Sequence, residues 1–217
     1  MIKAVIFDAD GTLIDSMAFW HNVLNDYLLE LGLDVSIFPL DKIEHMNTYE
    51  ASEYVISFYN LDATPEELTK YIENSVVNFF KSKVELKPNV REMLEYLKSK
   101  SVKMIIATGT DTPLIKCALI RNNIADYFCD VICCKDVGKR KTEPDVYRLA
   151  LEKVGTTRED TLVVEDALYC LRTAKADGFK VLAVYDSEEK NQAAMKAEAD
   201  CYSADLSEFE EIFEKLN

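Results

Sequence analysis

Short apolar runs alternate with amphipathic stretches along most of this chain. Five runs rich in apolar residues predict buried strands: residues 2–7, 102–107, 130–133, 161–164 and 180–185. Four stretches around them show helical spacing of apolar positions: residues 89–99, 113–121, 144–154 and 167–177. Residues 199–202 predict a short edge strand, and residues 208–216 a final helix. Strands that alternate with helices form a doubly wound parallel sheet, so we expect an α/β fold.

A helical segment interrupts this alternation after the first strand. Thr64 is a predicted N-cap, Pro65 occupies the first helical position, and Glu67 closes a capping box. Two earlier helices are predicted in the same segment: residues 17–31 and 48–59. The expected division is an α/β core with an inserted all-helical cap subdomain: residues 1–15 and 85–217 for the core, and residues 16–84 for the cap. The insertion begins at the carboxyl edge of the sheet, and a cap over that edge could exclude water and select substrate.

Two carboxylates follow the first predicted strand directly. Asp8 and Asp10 stand one residue apart, and Gly11 marks the turn after them. Ligands of open α/β sheets bind just past the carboxyl ends of strands. Because unpaired buried charge is costly, the pair is suited to bind a hard cation such as Mg²⁺, or to act as a nucleophile and its acid/base partner. Carboxylates that merely cap the next turn are the alternative.

Three further polar groups lie near the ends of later predicted strands. The hydroxyl of Thr108 and the backbone N–H groups around Gly109 could bind phosphate. Lys141 adds a positive charge, and the pair Glu165-Asp166 adds carboxylates. Taken singly, these groups have ordinary explanations as an N-cap, a surface lysine and partners of a helix dipole. Together with the first two carboxylates, they form the set needed to move a phosphoryl group through an aspartyl-phosphate.

In the order and spacing of these motifs, the chain resembles the haloacid dehalogenase (HAD) superfamily over nearly its whole length. The family's first motif, Asp-x-Asp-Gly-Thr/Val, corresponds to residues 8–12, its hydroxyl to Thr108, and its acidic pair to residues 165–166. The family lysine lies four residues before the Asp of a Pro-Asp pair, and therefore corresponds to Lys141 rather than Lys139. The insertion resembles the small cap of the branch with beta-phosphoglucomutases and phosphoglycolate phosphatases. The resemblance implies a HAD-like Rossmannoid core with a helical cap.

The resemblance also implies a role for each motif. Asp8 would be the nucleophile and Asp10 the general acid/base of a Mg²⁺-dependent phosphatase that acts on a small phosphorylated metabolite. Mg²⁺ would be held by four groups: the Asp8 carboxylate, the Asp10 backbone carbonyl, Asp166, and Glu165 directly or through water. Phosphate binding is implied for three residues: Thr108, Gly109 and Lys141.

The sequence departs from the family pattern at two places. Thr142 stands where the family's Lys-Pro-x-Pro-Asp has its first Pro, which changes the loop but not the charge. The run Ala167-Leu168-Tyr169-Cys170 replaces the Ser and Gly that family members commonly have after the acidic pair. The second departure changes the groups around the expected metal site and the start of the next helix.

A sugar-phosphate mutase of the beta-phosphoglucomutase type is the alternative enzyme. Such mutases hold a second phosphate with basic residues in the first cap loop, where this chain offers only His45. His21 lies near the position of a functional histidine in those mutases, displaced by one residue. Substrate contacts are therefore expected from His21 and His45, and three more residues are candidates to line the pocket: Trp20, Met46 and Tyr49. The weakly basic cap loop favours the phosphatase.

Other classes fit the motifs less well. A dehalogenase has no need of the second aspartate and the acidic pair. A phospho-accepting receiver domain uses similar residues, but its phosphorylated aspartate follows a middle strand and no helical cap is inserted. A non-catalytic phosphate-binding scaffold is disfavoured because the set of motifs is intact.

Charge and cysteine content narrow the choice of partners and compartment. The 217 residues carry a formal net charge of −14, which disfavours nucleic acids and anionic membranes as partners. No apolar stretch approaches the roughly 20 residues that span a bilayer, and the first strand does not read as a signal peptide, so we expect a cytoplasmic protein. None of the six cysteines forms a C-x-x-C pair, and we expect reduced, small core residues rather than a zinc site.

Overall fold

The chain forms two compact units. The computed structural model describes most of the chain: residues 1–39, 42–43, 46 and 48–217. One unit combines Met1–Met17 with Val84–Asn217, and the other consists of Ala18–Lys83. That the second unit acts as a cap stays a prediction, and His45 of the expected cap loop lies outside the described residues.

Six strands in the described part of the chain form one parallel sheet, which confirms the expected α/β fold. The strands are β1 (Ala4–Phe7), β2 (Lys103–Thr108), β3 (Val131–Cys133), β4 (Thr161–Glu165), β5 (Lys180–Val184) and β6 (Cys201–Ser203). Their order across the sheet is β3-β2-β1-β4-β5-β6. The order reverses between β1 and β4, and ligands of doubly wound sheets bind in the crevice at the carboxyl ends of such a pair.

Ten α-helices are found in the described residues. They are α1 (Met17–Glu30), α2 (Thr48–Tyr59), α3 (Pro65–Ser82), α4 (Val90–Ser99), α5 (Thr112–Arg121), α6 (Cys134–Val137), α7 (Asp145–Val154), α8 (Leu168–Ala176), α9 (Gln192–Glu198) and α10 (Phe209–Leu216). Helices α6 and α9 have no counterpart among the helices that the sequence predicts. Four and seven residues are too few to show a helical period.

The last strand lies slightly later in the chain than its apolar pattern predicts. It starts at Cys201, which pairs with Leu182 of β5. Asp200 precedes it, and its carboxylate accepts a hydrogen bond from the backbone N–H of Val181 at 2.8 Å. Pairing with β5, rather than the local apolar pattern, therefore determines where β6 begins.

Strand β1 is the buried centre of the sheet. All four of its residues have no exposed surface. On one face, Ala4 and Ile6 pack in a cluster with Val146 and Tyr147 of α7 and with Leu171 of α8. A strand covered on both faces has no place for a charged side chain along its length. Asp8, directly after β1, is therefore the first position past this buried strand that can carry a charged side chain.

The helical unit has the local signals that its sequence predicts. Glu67 donates its backbone N–H to the Thr64 hydroxyl at 3.2 Å, and its carboxylate accepts from the Thr64 N–H at 2.9 Å, so the capping box is present. Gly32 follows α1 with φ +72°, as a left-handed end of a helix requires. The rings of Phe19 and Phe79 stack at 4.0 Å between centroids, which joins α1 to α3. Among the described helices, none is long and apolar enough to cross a membrane.

The expectation that the cysteines are core residues is largely wrong. All six are free thiols, but only Cys133 and Cys170 are buried. Cys129 is exposed, and the other three are half-buried: Cys117, Cys134 and Cys201. Cys129 precedes β3, Cys134 begins α6 and Cys201 begins β6, so these three lie at or beside the ends of elements rather than in the core.

We predict that Thr64→Ala destabilises the helical unit. The substitution removes the hydroxyl that accepts from Glu67, and loss of such an N-cap lowers the free energy of unfolding by about 1 kcal/mol. Asn74→Ala, at an exposed position within α3, is the matched control and should not destabilise the protein. Urea denaturation followed by circular dichroism measures both variants. Equal midpoints for Thr64→Ala and the wild type would contradict the prediction.

Candidate active site

A tight turn after β1 places two aspartates at the edge of the sheet. The backbone N–H of Asp8 donates to the carbonyl of Val164 at 3.0 Å, so this residue still continues the pairing of β1 with β4. The Asp8 side chain is buried, whereas Asp10 is half-buried. The carboxylate of Asp10 accepts from the Ser16 hydroxyl at 2.6 Å. The loop therefore gives the two aspartates different surroundings, one in the protein interior and one nearer to solvent.

Three buried carboxylates meet at this edge. Asp8, Glu165 and Asp166 each offer an oxygen, and these oxygens lie within 4.8 Å of one another. Glu165 is the last residue of β4, so the pairing of β1 with β4 brings the two strand ends together. Thr12 donates its hydroxyl to Asp166 at 3.0 Å. Hard divalent cations take oxygen ligands of this kind, so the cluster could hold one.

One unpaired atom tests whether a cation fits this cluster. Oε2 of Glu165 is buried and has no hydrogen-bond partner among the described residues. Buried polar atoms in folded proteins are nearly always paired. The groups that share the cluster with Glu165, Asp8 and Asp166, are carboxylates as well. A cation would satisfy it, and the residues present therefore fit one.

Lys141 is the positive charge within this group. Its side chain is buried and its Nζ atom contacts the Asp8 carboxylate and lies 2.7 Å from Glu165 Oε1. Lys139 and Arg140, its neighbours in the basic run, are exposed. Of these three basic residues, the buried one is therefore Lys141, the residue that corresponds to the family lysine. Among the described residues of this cluster, one ammonium contacts two of the three carboxylates, so a cation could add positive charge there.

Burial changes the acidity of the groups in this cluster. It raises the pKa of Asp8 to about 7, although the adjacent Lys141 ammonium opposes the shift. Burial, with the charges of Asp8 and Glu165, raises the pKa of Asp166 well above its usual value. Burial alone would lower the pKa of Lys141, but the same two carboxylates raise it well above its usual value. Lys141 is therefore charged throughout the physiological range.

The predicted phosphate-binding turn lies at the end of β2. Thr108 is buried, and its Oγ1 accepts from the backbone N–H of Thr110 at 3.0 Å, which leaves the hydroxyl hydrogen to donate elsewhere. Gly109 is exposed, and a Cβ added there would meet open space. Helix α5 has Asp111 as its N-cap residue, so Thr108 does not serve as that N-cap. Its role in binding phosphate stays a prediction.

The structure adds a tyrosine that the sequence reasoning missed. Tyr147 of α7 is fully buried, and its hydroxyl donates to Glu165 Oε1 at 2.6 Å. It occupies a core position of an amphipathic helix, where an apolar residue is the usual choice. The sequence does place a tyrosine six residues after Lys141. A buried tyrosine hydroxyl usually has a hydrogen-bond partner, and this could have indicated a polar contact there.

A distant carboxylate compensates for the unusual residues after the acidic pair. Ala167 is the N-cap residue of α8 and has no side chain that can cap the helix. Glu189 supplies the missing acceptor, because its Oε2 accepts from the backbone N–H of Leu168 at 2.9 Å. The start of α8, directly after Asp166, is thus anchored by tertiary contact rather than by a local cap.

The residues expected to contact substrate belong to the helical unit. His21 is exposed on α1. Trp20 packs against the ring of Phe80, with centroids 5.8 Å apart, so much of this side chain belongs to the aromatic packing of that unit. Met46 and Tyr49 are exposed, and the Tyr49 hydroxyl donates to Glu66 at 3.0 Å. Their contacts with substrate stay predictions.

Comparison with known proteins gives the family. A family model described as haloacid dehalogenase-like hydrolase matches residues 5–184. The chain belongs to this family. All of the motif residues of this hydrolase lie within the matched range, from Asp8 to Asp166.

Relatives and a solved structure resemble this hydrolase along most of its length. The phosphorylated carbohydrates phosphatase of Thermotoga maritima is 26% identical over 91% of this chain and 92% of its own length. The fructose-1-phosphate phosphatase YqaB of Escherichia coli is 25% identical over 83% of this chain and 95% of its own. A crystal structure from Thermotoga maritima, provisionally described as a beta-phosphoglucomutase, has a TM-score of 0.84, with 24% identity and full coverage of both chains. That structural likeness shows the fold alone.

We predict that Gly11→Ala weakens cation binding in addition to destabilising the fold. Gly11 has φ +76°, and an added Cβ would lie 2.2 Å from Asp166 Oδ2. The left-handed conformation costs an alanine about 1–2 kcal/mol, and the collision must also displace a carboxylate of the cluster. Calorimetric titration with Mg²⁺ and thermal unfolding measure the two effects.

Gly155→Ala is the matched control for this prediction. Gly155 has φ +66°, and a Cβ there would meet nothing within 4 Å. The control should lower the melting temperature but leave cation affinity unchanged. Equal Mg²⁺ affinities in the two variants would show that Gly11 matters only for the backbone.

The raised pKa of Asp8 predicts that cation affinity increases with pH. At pH 6 most Asp8 side chains carry a proton, which a cation must displace, whereas at pH 8 most are ionised. We expect the proton on Asp8 alone to lower the affinity for Mg²⁺ by up to about tenfold for each pH unit below 7. Titration calorimetry at several pH values between 6 and 8 checks this. A constant affinity over that interval is incompatible with the shifted pKa.

Proposed function

We propose that this hydrolase is a Mg²⁺-dependent phosphatase that acts on a small phosphorylated metabolite, a sugar phosphate or a similar phosphomonoester. The observation that carries the proposal is Asp8, a buried carboxylate held beside Lys141 within a cluster of carboxylates at the switch point of the sheet. Two relatives that cover most of the chain are named as phosphatases of phosphorylated sugars, which supports the same class of substrate.

Mg²⁺ is the cation proposed for the acidic cluster. Asp8, Asp166 and Glu165 would hold it through carboxylate oxygens, and the backbone carbonyl of Asp10 would add a fourth ligand. When bound, Mg²⁺ supplies positive charge that offsets the repulsion between the nucleophile and the phosphate oxygens. The unpaired Oε2 of Glu165 supports this assignment.

In the first proposed step, Asp8 attacks phosphorus. One carboxylate oxygen forms a bond to the phosphorus atom, and the bond from phosphorus to the ester oxygen breaks. Asp10 donates its proton to the departing alkoxide, which leaves as an alcohol. The Ser16 hydroxyl, 2.6 Å from Asp10 Oδ1, holds this acid on the turn after β1. The product on the protein is an aspartyl-phosphate at Asp8.

In the second proposed step, water hydrolyses the aspartyl-phosphate. Asp10, now ionised, takes a proton from a water molecule whose oxygen attacks phosphorus. The bond between phosphorus and Asp8 breaks, and inorganic phosphate leaves. Asp8 is again a carboxylate and Asp10 again carries a proton, so the cycle closes without any other reactant.

Lys141 and the turn after β2 are the proposed phosphate-binding groups. The Lys141 ammonium would turn from the carboxylates towards the phosphate oxygens, whose negative charge also favours the ammonium form. The Thr108 hydroxyl and the N–H of Gly109 would donate to the same oxygens. Arrangements of this kind stabilise charge that develops in phosphoryl transfer.

The helical unit is the proposed determinant of substrate choice. We assign this role to Ala18–Lys83, with His21 and His45 as the residues expected to contact the substrate. A sugar-phosphate mutase remains the alternative enzyme, but no described residue favours it over the phosphatase. Function in the cytoplasm, without a nucleic acid or membrane partner, stays a prediction from composition.

We predict that Asp8→Asn abolishes phosphatase activity while the protein stays folded. An amide cannot act as the nucleophile, so hydrolysis of p-nitrophenyl phosphate with Mg²⁺ should fall below detection. Asp15→Asn, a substitution at an exposed aspartate of the same loop, is the matched control and should keep wild-type activity. Circular dichroism establishes that both variants are folded.

The outcomes of this assay separate the candidate functions. Activity that requires both Mg²⁺ and Asp8 supports the phosphatase and justifies a screen of sugar phosphates. Wild-type activity in Asp8→Asn would rule out the mechanism. If the folded wild type is inactive, turnover of glucose 1-phosphate with a bisphosphate primer tests for the mutase instead.

A further inference from the structure

Within the described part of the chain, the Glu165 carboxylate accepts hydrogen bonds through Oε1 alone. Oε1 accepts from Lys141 Nζ at 2.7 Å and from the Tyr147 hydroxyl at 2.6 Å. Oε2 is buried and has no hydrogen-bond partner in the described part of the chain. Two donors therefore fix one oxygen of a residue that belongs to the cluster with Asp8 and Asp166, and the other oxygen has no partner among the described residues.

The two donors to Glu165 differ in what else they must do. Lys141 also contacts Asp8, and in the proposed reaction it turns towards a substrate phosphate. The Tyr147 hydroxyl has a single hydrogen, which it donates to Glu165. When Lys141 engages phosphate, Tyr147 is the donor that continues to hold the Glu165 carboxylate.

Packing fixes the position of the Tyr147 hydroxyl. The side chain is fully buried in the first turn of α7, and its ring contacts Phe179 with centroids 6.4 Å apart. Lys141 Nζ lies 5.6 Å from the centre of the same ring. A donor on a packed ring has little freedom to move, and ligands held by such donors keep one orientation.

We propose that Tyr147 is a positioning residue for the cation site, whose hydroxyl holds Glu165 Oε1 so that Oε2 faces the cation. The identity of that cation as Mg²⁺ rests on the proposed function. Removal of a group that orients a metal ligand typically weakens metal binding by 10–100-fold. Tyr147 would act through Glu165 and would touch neither the substrate nor the cation.

Tyr147→Phe tests this role because it removes the hydroxyl and leaves the packed ring in place. We expect the dissociation constant for Mg²⁺, measured by titration calorimetry without substrate, to rise about tenfold. In assays, the Mg²⁺ activation constant should rise more than kcat at saturating Mg²⁺ falls. Thermal unfolding in EDTA reports any loss of stability separately.

Tyr96→Phe is the matched control. The Tyr96 hydroxyl donates to Glu214 Oε1 at 2.6 Å, so the substitution removes a tyrosine–glutamate hydrogen bond of the same length, at the surface between α4 and α10. This variant should bind Mg²⁺ as the wild type does. A similar loss of Mg²⁺ affinity in both variants would indicate a general effect of stability and would overturn the proposal.

A double-mutant cycle with Glu165→Gln shows whether Tyr147 acts through Glu165. If it does, Tyr147→Phe should change Mg²⁺ affinity much less in the Glu165→Gln background than in the wild type. An undiminished effect in that background, or a Tyr147→Phe protein that binds Mg²⁺ normally, would overturn the proposal. Wild-type protein that binds Mg²⁺ but hydrolyses no phosphomonoester would overturn the proposed function alone.

Discussion

One buried lysine among three buried carboxylates is the constraint on which the site depends. Lys141 contacts Asp8 and Glu165, and Asp166 lies within the same cluster. Buried charges are tolerated only when they are paired or bind a metal. Burial, together with the neighbouring carboxylate charges, raises the pKa values of Asp8 and Asp166, and Oε2 of Glu165 has no hydrogen-bond partner among the described residues. A cluster of this composition could hold a cation.

The sheet places this cluster at its switch point. Strands β1 and β4 are neighbours, and their carboxyl ends carry Asp8 and Glu165. The strands themselves are buried and apolar, so charge is confined to the edge where the chain turns. The backbone turn after β1 and the hydroxyl of Thr12 then hold the aspartates of the two strand ends in place. The strand pairing that builds the core therefore also sets the positions of the carboxylates in the site.

Two side chains from other segments, Glu189 and Tyr147, form hydrogen bonds to the acidic pair and to the start of the helix that follows it. Glu189 caps α8 where Ala167 cannot, and Tyr147 pairs with the oxygen of Glu165 that Lys141 also contacts. Both partners come from segments distant in sequence from the acidic pair. A family motif can therefore lose a local hydroxyl and keep its geometry, provided that another element supplies the missing acceptor or donor.

Sequence by itself determined the alternation of strands and helices and the capping box at Thr64, because these depend on local period and spacing. The choice of Lys141 over Lys139 came from the resemblance to the family motif. The sequence also indicated the acidic residues, since charge directly after an apolar strand has few other uses. Tertiary structure alone decided the start of β6, the burial of each cysteine, and the contacts of Tyr147 and Glu189 with the acidic loop. Those features depend on which segments pack together, and a local pattern carries no information about partners that are far away along the chain.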